Sequence, residues 1–370
     1  MIRILHTADI HLGAVFAELA ECAAARRNDQ LYAFERMVEL AIDRKVHLLV
    51  VAGDLFASPW PTTDLVSHVR AGFQRLCDNG ILPVVLPGQN DMPRSPDGVY
   101  ARGVFDGVLV LDPQQAESVT LDIDGQPLHL HSGRIEDDRA VWPAAVSAAA
   151  DGVHVGLLYL PAKTGLDIDI ARWCDSAWWQ ESGASYLALG GVHNFCEWRK
   201  DERLLACCPG TPEGLTFGEN GERCCVLASV DAASVSVERF AVNKRTLSEV
   251  CLDLSDCRCH DEVLQRILSF GSPDGMVHLT LTGQPAAVLD GALLQQQAAE
   301  AFYYLEIDDR SMLLGSPLAE TLARKDDLSG LLVRNAQALA VRRSDENQLL
   351  LDAAVREILL RRQALGGGAS

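Results

Sequence analysis

Short apolar runs that each end in residues of metal-ligand type recur along the chain, and this feature limits its fold most tightly. Ile2–Leu5 leads into Asp9 and His11. Val46–Ala52 is stopped by Gly53 and followed by Asp54. Ile81–Leu86 is stopped by Pro87–Gly88 and followed by Gln89, Asn90 and Asp91, and Ser185–Leu189 is followed by His193. Such runs read as strands buried on both faces. In open α/β sheets, sites form at the carboxyl ends of strands. Asp, His, Asp and His delivered by separate strands to one edge form a donor set of hard oxygens and imidazole nitrogens, which suits a divalent cation.

Between the runs, Asp29–Lys45 places Leu31, Phe34, Val38 and Ile42 at helical spacing, and Leu65–Cys77 is a second helix candidate. The alternation predicts a sheet covered by helices. Beyond residue 100 shorter strands follow: Val108–Leu111, Ser118–Ile123, Pro127–His131 with a turn at Asp124–Gly125, Val153–Leu160, and a hairpin of Arg223–Ser229 with Ser234–Phe240. The expected architecture is an α/β, two-sheet core with helices on its outer faces over 1–243. A small α+β module over 244–315 and a helical C-terminal arm over 316–370 follow it. Trp173, Trp178 and Trp179 read as helix packing rather than a base-stacking platform.

Lys plus Arg number 32 against 51 Asp plus Glu, a net charge of −19. Bulk charge therefore does not draw this chain to nucleic acid or anionic lipid, and any phosphate contact must be local. Arg199, Lys200 and Arg203 follow His193 and are candidates for that contact at the site mouth, although Asp201 and Glu202 sit among them. No apolar run is long enough to span a membrane, and the first residues lack the layout of an export signal. The eleven cysteines then read as reduced thiols of a cytoplasmic protein. Cys257, Cys259 and His260 are a zinc candidate outweighed by simple burial.

The four clusters, D-x-H at Asp9–His11, GD at Gly53–Asp54, a G-N-H-D-like Gly88–Asp91 and a G-H-x-H-like Gly190–His193, resemble those of calcineurin-like metallophosphoesterases. The stretches LHTADIHLG, VVAGDLFASPWPT, YLALGGVHN and PGTPEGLTFGENGE are similar to the bacterial SbcD branch of DNA-repair nucleases, over about residues 1–250. The resemblance implies a nuclease core, a capping domain and C-terminal helices that dock on a coiled-coil ATPase of the SbcC type. It also implies homodimerisation, DNA as a partner, and two metal ions, usually manganese. Carried over, the first ion's ligands are Asp9, His11, Asp54 and His193. The second ion's own positions hold Gln89, Tyr159 and Gly191, and the catalytic histidine's position holds Asn90. The resemblance thus implies one divalent cation, most simply Mn²⁺, with the second seat doubtful.

Asn90 cannot exchange a proton near neutral pH, and loss of general acid help costs ~10²–10⁴-fold. Three readings follow. The chain is a weakened one-metal phosphodiesterase, or an inactive scaffold for the ATPase, or an enzyme in which Asn90 is itself the missing amide ligand and another histidine serves, with His129, His131 and His154 as candidates. A small-molecule phosphodiesterase on the same core is a further alternative, which the C-terminal module and arm disfavour.

Overall fold

The computed structural model describes all residues except 18, 93–96, 137–138, 144–150, 161–183, 201, 233, 342–344 and 367–370. The three clustered tryptophans at 173, 178 and 179 lie outside the described residues. Two compact units emerge, Met1–Leu215 with Gly221–Arg245, and Thr216–Asn220 with Thr246–Ser370. The small module and the helical arm fall together in the second unit.

The first unit contains β1 (Ile2–Thr7), α1 (Ala23–Asp43), β2 (Leu48–Ala52), α2 (Thr63–Asp78), β3 (Leu82–Leu86), β4 (Leu109–Val110), β5 (Glu117–Ile123), β6 (Gln126–Ser132), β7 (Arg134–Glu136), β8 (Arg139–Val141), β9 (Val153–Tyr159), β10 (Tyr186–Gly190), β11 (Cys196–Lys200), β12 (Arg203–Cys208), β13 (Cys224–Val230) and β14 (Val235–Ala241). One six-stranded sheet runs β14-β13-β1-β2-β3-β4 and the other β11-β12-β10-β9-β6-β5. Strands β1 to β4 are parallel, as are β6, β9, β10 and β12.

The apolar runs became central strands because both of their faces are covered. Ile4, Leu48, Val50 and Val84 meet Leu130, Val155, Leu157 and Tyr186 between the sheets. The alternate residues Leu5, Leu49, Val51 and Val85 pack under Phe34, Met37 and Val38 of α1 and Phe73 of α2. Full burial of each such side chain stabilises the fold by about 1.5–3 kcal/mol. Helix α1 starts six residues before the expected Asp29. Its first turns look polar in sequence, yet Arg26 is fully buried, 2.8 Å from Asp29 and 2.7 Å from Glu213. An ion-pair cluster replaces the apolar stripe there, so periodicity misses those turns.

In the second unit β15 (Thr246–Asp253), α3 (His260–Leu268), β16 (Ser272–Thr282), α4 (Gly291–Ala298) and β17 (Phe302–Asp309) alternate. The strands pair in parallel, so α/β describes this module better than the expected α+β. Val277, Leu279, Leu281 and Leu305 meet Val263, Ile267 and Leu294 in its core. Helices α5 (Pro317–Ala323), α6 (Leu328–Ala340) and α7 (Asp345–Gly366) follow. Ser316 caps α5 ahead of Pro317 at its first turn, and Asp327 caps α6. Cys257 is buried, Cys259 is exposed, and His260 bonds Gln297. None of the three joins a metal-type cluster among the described residues.

Candidate metal centre

The parallel register brings the carboxyl ends of β1, β2 and β3 to one edge, with Thr7 beside Val51 and Ala52 beside Leu86. In the other sheet Tyr159 and Gly190 end β9 and β10 as direct neighbours. Asp9 and His11 leave β1, and Asp54 leaves β2. Their ligand atoms lie within 4.8 Å of one another and all three residues are buried. Backbone bonds stitch the loops together: Asp9 N–H donates to Gly53 O at 3.2 Å, and His11 N–H to Asp54 O at 2.9 Å. Gln30, inside α1, donates to the carbonyls of Ile10 and His11 at 3.2 and 2.8 Å. That residue was missed in sequence; its one signal was an amide on the buried side of α1.

All three clustered residues have left-handed backbone, with φ of 49° at Asp9, 50° at His11 and 33° at Asp54. Each such conformation costs about 1–3 kcal/mol and persists only where surrounding structure imposes it. Backbone strain gathered at three residues whose side chains share one point is the pattern of a candidate functional site.

The electrostatics call for positive charge. Burial, then nearby charges including that of Asp54, push the Asp9 carboxyl well above its ordinary range. Asp9 Oδ2 accepts from Gly191 N–H at 2.7 Å. Asp9 Oδ1 is buried and has no hydrogen-bond partner among the described residues. Two buried acids, one with an oxygen that lacks a hydrogen-bond partner among the described residues, beside an imidazole fit a divalent cation. The His193 ring lies 5.1 Å from that of His11, centre to centre, inclined at 62°. It therefore flanks the trio without being one of the three most closely gathered ligands.

The opposite flank of Asp54 is built differently. Asn90 gives its backbone N–H to Asp54 Oδ1 at 2.7 Å and its side-chain amide to Oδ2 at 2.9 Å. Tyr159 donates its hydroxyl to the same Oδ2 at 2.8 Å. Burial, then the charges of Asp54 and Asp9, push the Tyr159 hydroxyl far upward, so it stays protonated and acts as a donor rather than a ligand. Its ring presses on Gly53, where a Cβ would sit 2.3 Å from the ring. At Gly191, φ is 90° and a Cβ would fall 1.8 Å from the Leu160 carbonyl oxygen. No side chain fits there on this backbone. Gln89 is exposed. Asp91 is buried and accepts from Gly88 N–H at 2.8 Å, Phe56 N–H at 3.1 Å and the Tyr100 hydroxyl at 2.6 Å. Burial, followed by the charge of Asp54, raises its pKa to about 7. It braces the loop that presents Asn90.

Two expectations are corrected by geometry. Strand β12 runs parallel to β10, with Ala206 level with Leu187. Arg203 therefore opens β12 at the edge away from Gly190, roughly 20 Å distant at about 3.3 Å per residue. β11 runs back toward the same far edge, where Lys200 pairs with Arg203. Arg199 is exposed and bonded to Glu197 at 2.8 Å. Positions 199, 200 and 203 lie on strands at the edge away from the site mouth, because the chain reverses after His193. His129, His131 and His154 likewise supply no missing ligand. They stack against each other with ring centres 4.4 to 6.4 Å apart, and His129 and His131 bond Thr120 and Ser118.

A strand-end cluster of acids and imidazole on a two-sheet α/β sandwich is a donor set that suits a divalent cation. The calcineurin-like phosphoesterase family profile matches residues 2–145, and the chain carries a domain of that family. It is 27% identical to the DNA double-strand break repair protein Mre11 of Haloferax volcanii, over 84% of this chain and 68% of that one. It is 37% identical to the Mre11 protein of Aeropyrum pernix, over 52% and 49% respectively. The uncharacterized metallophosphoesterase YhaO of Bacillus subtilis is 23% identical over 84% and 82%. The chain spans about half the length of the Mre11 proteins of Saccharolobus solfataricus, Methanopyrus kandleri and Aeropyrum pernix that it also matches. It is thus related, at modest identity, to DNA-repair proteins. No helix among the described residues is long and apolar enough to cross a membrane.

Proposed function

We propose that this chain is a one-cation phosphodiesterase of SbcD type, acting on DNA with weakened catalysis and as the partner of an SbcC-type coiled-coil ATPase in DNA repair, end processing or defence. The observation that carries the reading is the asymmetry about Asp54. Asp9, His11 and Asp54 converge on one point with an orphaned carboxylate oxygen, and His193 flanks them. Neutral donors fill the other side. A divalent cation held there, manganese by resemblance, would supply Lewis-acid polarisation of a phosphoryl oxygen and activation of water. Asp9 and Asp54 would provide the negative charge that holds it, and His11 and His193 would add nitrogen donors. Asn90 fixes the Asp54 carboxylate by two hydrogen bonds and offers no proton exchange.

A second reading is an inactive scaffold for the same ATPase, and both readings dock through the C-terminal helices. Helix α6 leaves Leu328, Leu331 and Leu339 exposed, and α7 leaves Leu350, Ile358 and Leu365 exposed. Such apolar faces suit a helical partner. A small-molecule substrate would give these faces no use. Cleavage of linear duplex DNA with Mn²⁺, with and without the ATPase, separates the readings, with Asp54→Ala as control. Activity above that control supports the enzyme; equal residual cleavage leaves the scaffold. Leu350→Asp combined with Ile358→Asp should abolish capture of the ATPase while the second unit stays folded, and undiminished capture would refute docking through this arm.

A further inference from the structure

The histidine at 193 stands on a loop between β10 and β11, where no strand ladder holds it, yet an imidazole is a useful ligand only if its backbone is fixed. Three donors converge on the His193 carbonyl oxygen. Thr211 gives its N–H at 3.0 Å and its hydroxyl at 3.5 Å, and Arg223 gives Nη2. The Arg223 guanidinium does more than touch that one oxygen. Its Nε donates to Thr211 O at 3.0 Å, its Nη2 also to Thr211 Oγ1 at 2.8 Å, and its Nη1 to Asn194 Oδ1 at 2.9 Å. Arg223 is 5% exposed. Its own backbone is anchored at the start of β13, with its N–H on Asn243 Oδ1 at 3.0 Å and its carbonyl accepting from Val242 N–H at 3.0 Å.

From this geometry we infer that Arg223 is the positioning residue for His193, a buried guanidinium that clamps the His193–Asn194 turn to Thr211 and so sets where the imidazole stands beside His11. Every nitrogen of the planar fork is used on that turn or on the threonine that shares its carbonyl. A lysine offers one point of donation and cannot reproduce the pattern. Burying a cation to hold a surface turn is a costly way to stabilise a loop and a sensible way to orient a ligand. The inference rests on the reading of His193 as a metal-holding side chain.

The test is a double-substitution cycle on the full chain, read as Mn²⁺ affinity by titration calorimetry and by the electron paramagnetic resonance of free Mn²⁺, with thermal unfolding recorded alongside. The variants are Arg223→Lys, His193→Ala and the pair. His193→Ala should weaken Mn²⁺ binding. Arg223→Lys should weaken it about 10–100-fold, the usual effect of losing a group that orients a metal ligand. In the His193→Ala background Arg223→Lys should then change affinity by less than about twofold, because its effect passes through the imidazole. Equal loss from Arg223→Lys in both backgrounds would make it a general support of the fold and overturn the inference, as would unchanged affinity in Arg223→Lys. An unchanged affinity in His193→Ala would instead remove His193 from the site, a separate failure. Should Arg223→Lys lower the melting temperature too far to titrate, Thr211→Val, which removes one shared hydroxyl, is expected to show the same dependence on His193, and an effect that persists without the imidazole counts against the clamp.

Discussion

The two flanks of Asp54 start from the same carboxylate and end with opposite capacities. Toward Asp9 and His11, acids meet an imidazole in a buried point, and Asp9 Oδ1 has no hydrogen-bond partner among the described residues. Toward Asn90 and Tyr159, two neutral donors reach Oδ2 at 2.9 and 2.8 Å, the same oxygen that stands 3.8 Å from His11 Nε2. One flank is short of positive charge; the other has been given hydrogen bonds in its place. In the proposed one-cation reading, a second seat is closed in two ways together: its expected positions lack ligands, and the space is occupied by groups that satisfy the Asp54 carboxylate, as Tyr159 does, or by backbone, as the Leu160 carbonyl does opposite Gly191.

The largest effect that could break this comparison comes from its shared member. Asp54→Ala should abolish Mn²⁺ binding within the millimolar range, a loss of at least about 100-fold, measured by calorimetry. Retained affinity would mean that the cation sits elsewhere. Next is Gly191→Ala. A Cβ at 1.8 Å from a carbonyl oxygen on a residue at φ 90° should destabilise the first unit by about 2 kcal/mol or more in urea unfolding. An unchanged midpoint would show that the loop yields and that an imidazole could be restored there.

Tyr159→Phe sharpens the contrast with a smaller change. Removing the hydroxyl leaves Asp54 Oδ2 with one donor fewer, so Mn²⁺ should bind severalfold more tightly, by about 1 kcal/mol, with the stoichiometry unaltered. Weaker binding would show that the tyrosine helps to hold the cation instead of excluding a second.

The smallest expected effect separates the titration of the site from that of the fold. Burial, then the charges of His154 and His129, lower the His131 pKa to about 4. A histidine depressed in the folded state is protonated first in the unfolded chain. Its contribution is therefore complete above about pH 6.5 and is lost as pH falls toward about 4. Between pH 7 and pH 5, wild type should lose under about 1 kcal/mol more stability than His131→Gln, after allowance for partial solvent screening at the stack. Parallel losses in both proteins would mean that the stack is not buried.

Much of the metal cluster was legible because it sits where the sequence changes character. Asp9, His11 and Asp54 each follow an apolar run that can only be a central strand, and central strands of a parallel sheet end on one edge. The parallel pairing then converges them without further information. Other features depend on contacts between remote segments and leave little trace in spacing. The phenol of Tyr159 reads as an inferior ligand in sequence, and only its approach to Asp54 across the sandwich reveals a donor. Arg199, Lys200 and Arg203 look adjacent to His193 along the chain, but the reversal into β11 and the parallel alignment of β12 carry them to the far edge. Arg26, fully buried in the first turns of α1, hid the start of that helix because an ion pair has no apolar periodicity.

The number of cations per chain tests the central asymmetry most directly. Crystals grown with Mn²⁺ and measured at the manganese absorption edge should show one anomalous peak, among Asp9, His11 and Asp54 with His193 beside it, and Tyr159 still bonded to Asp54. Two well-occupied peaks astride Asp54, with the phenol displaced, would contradict the account.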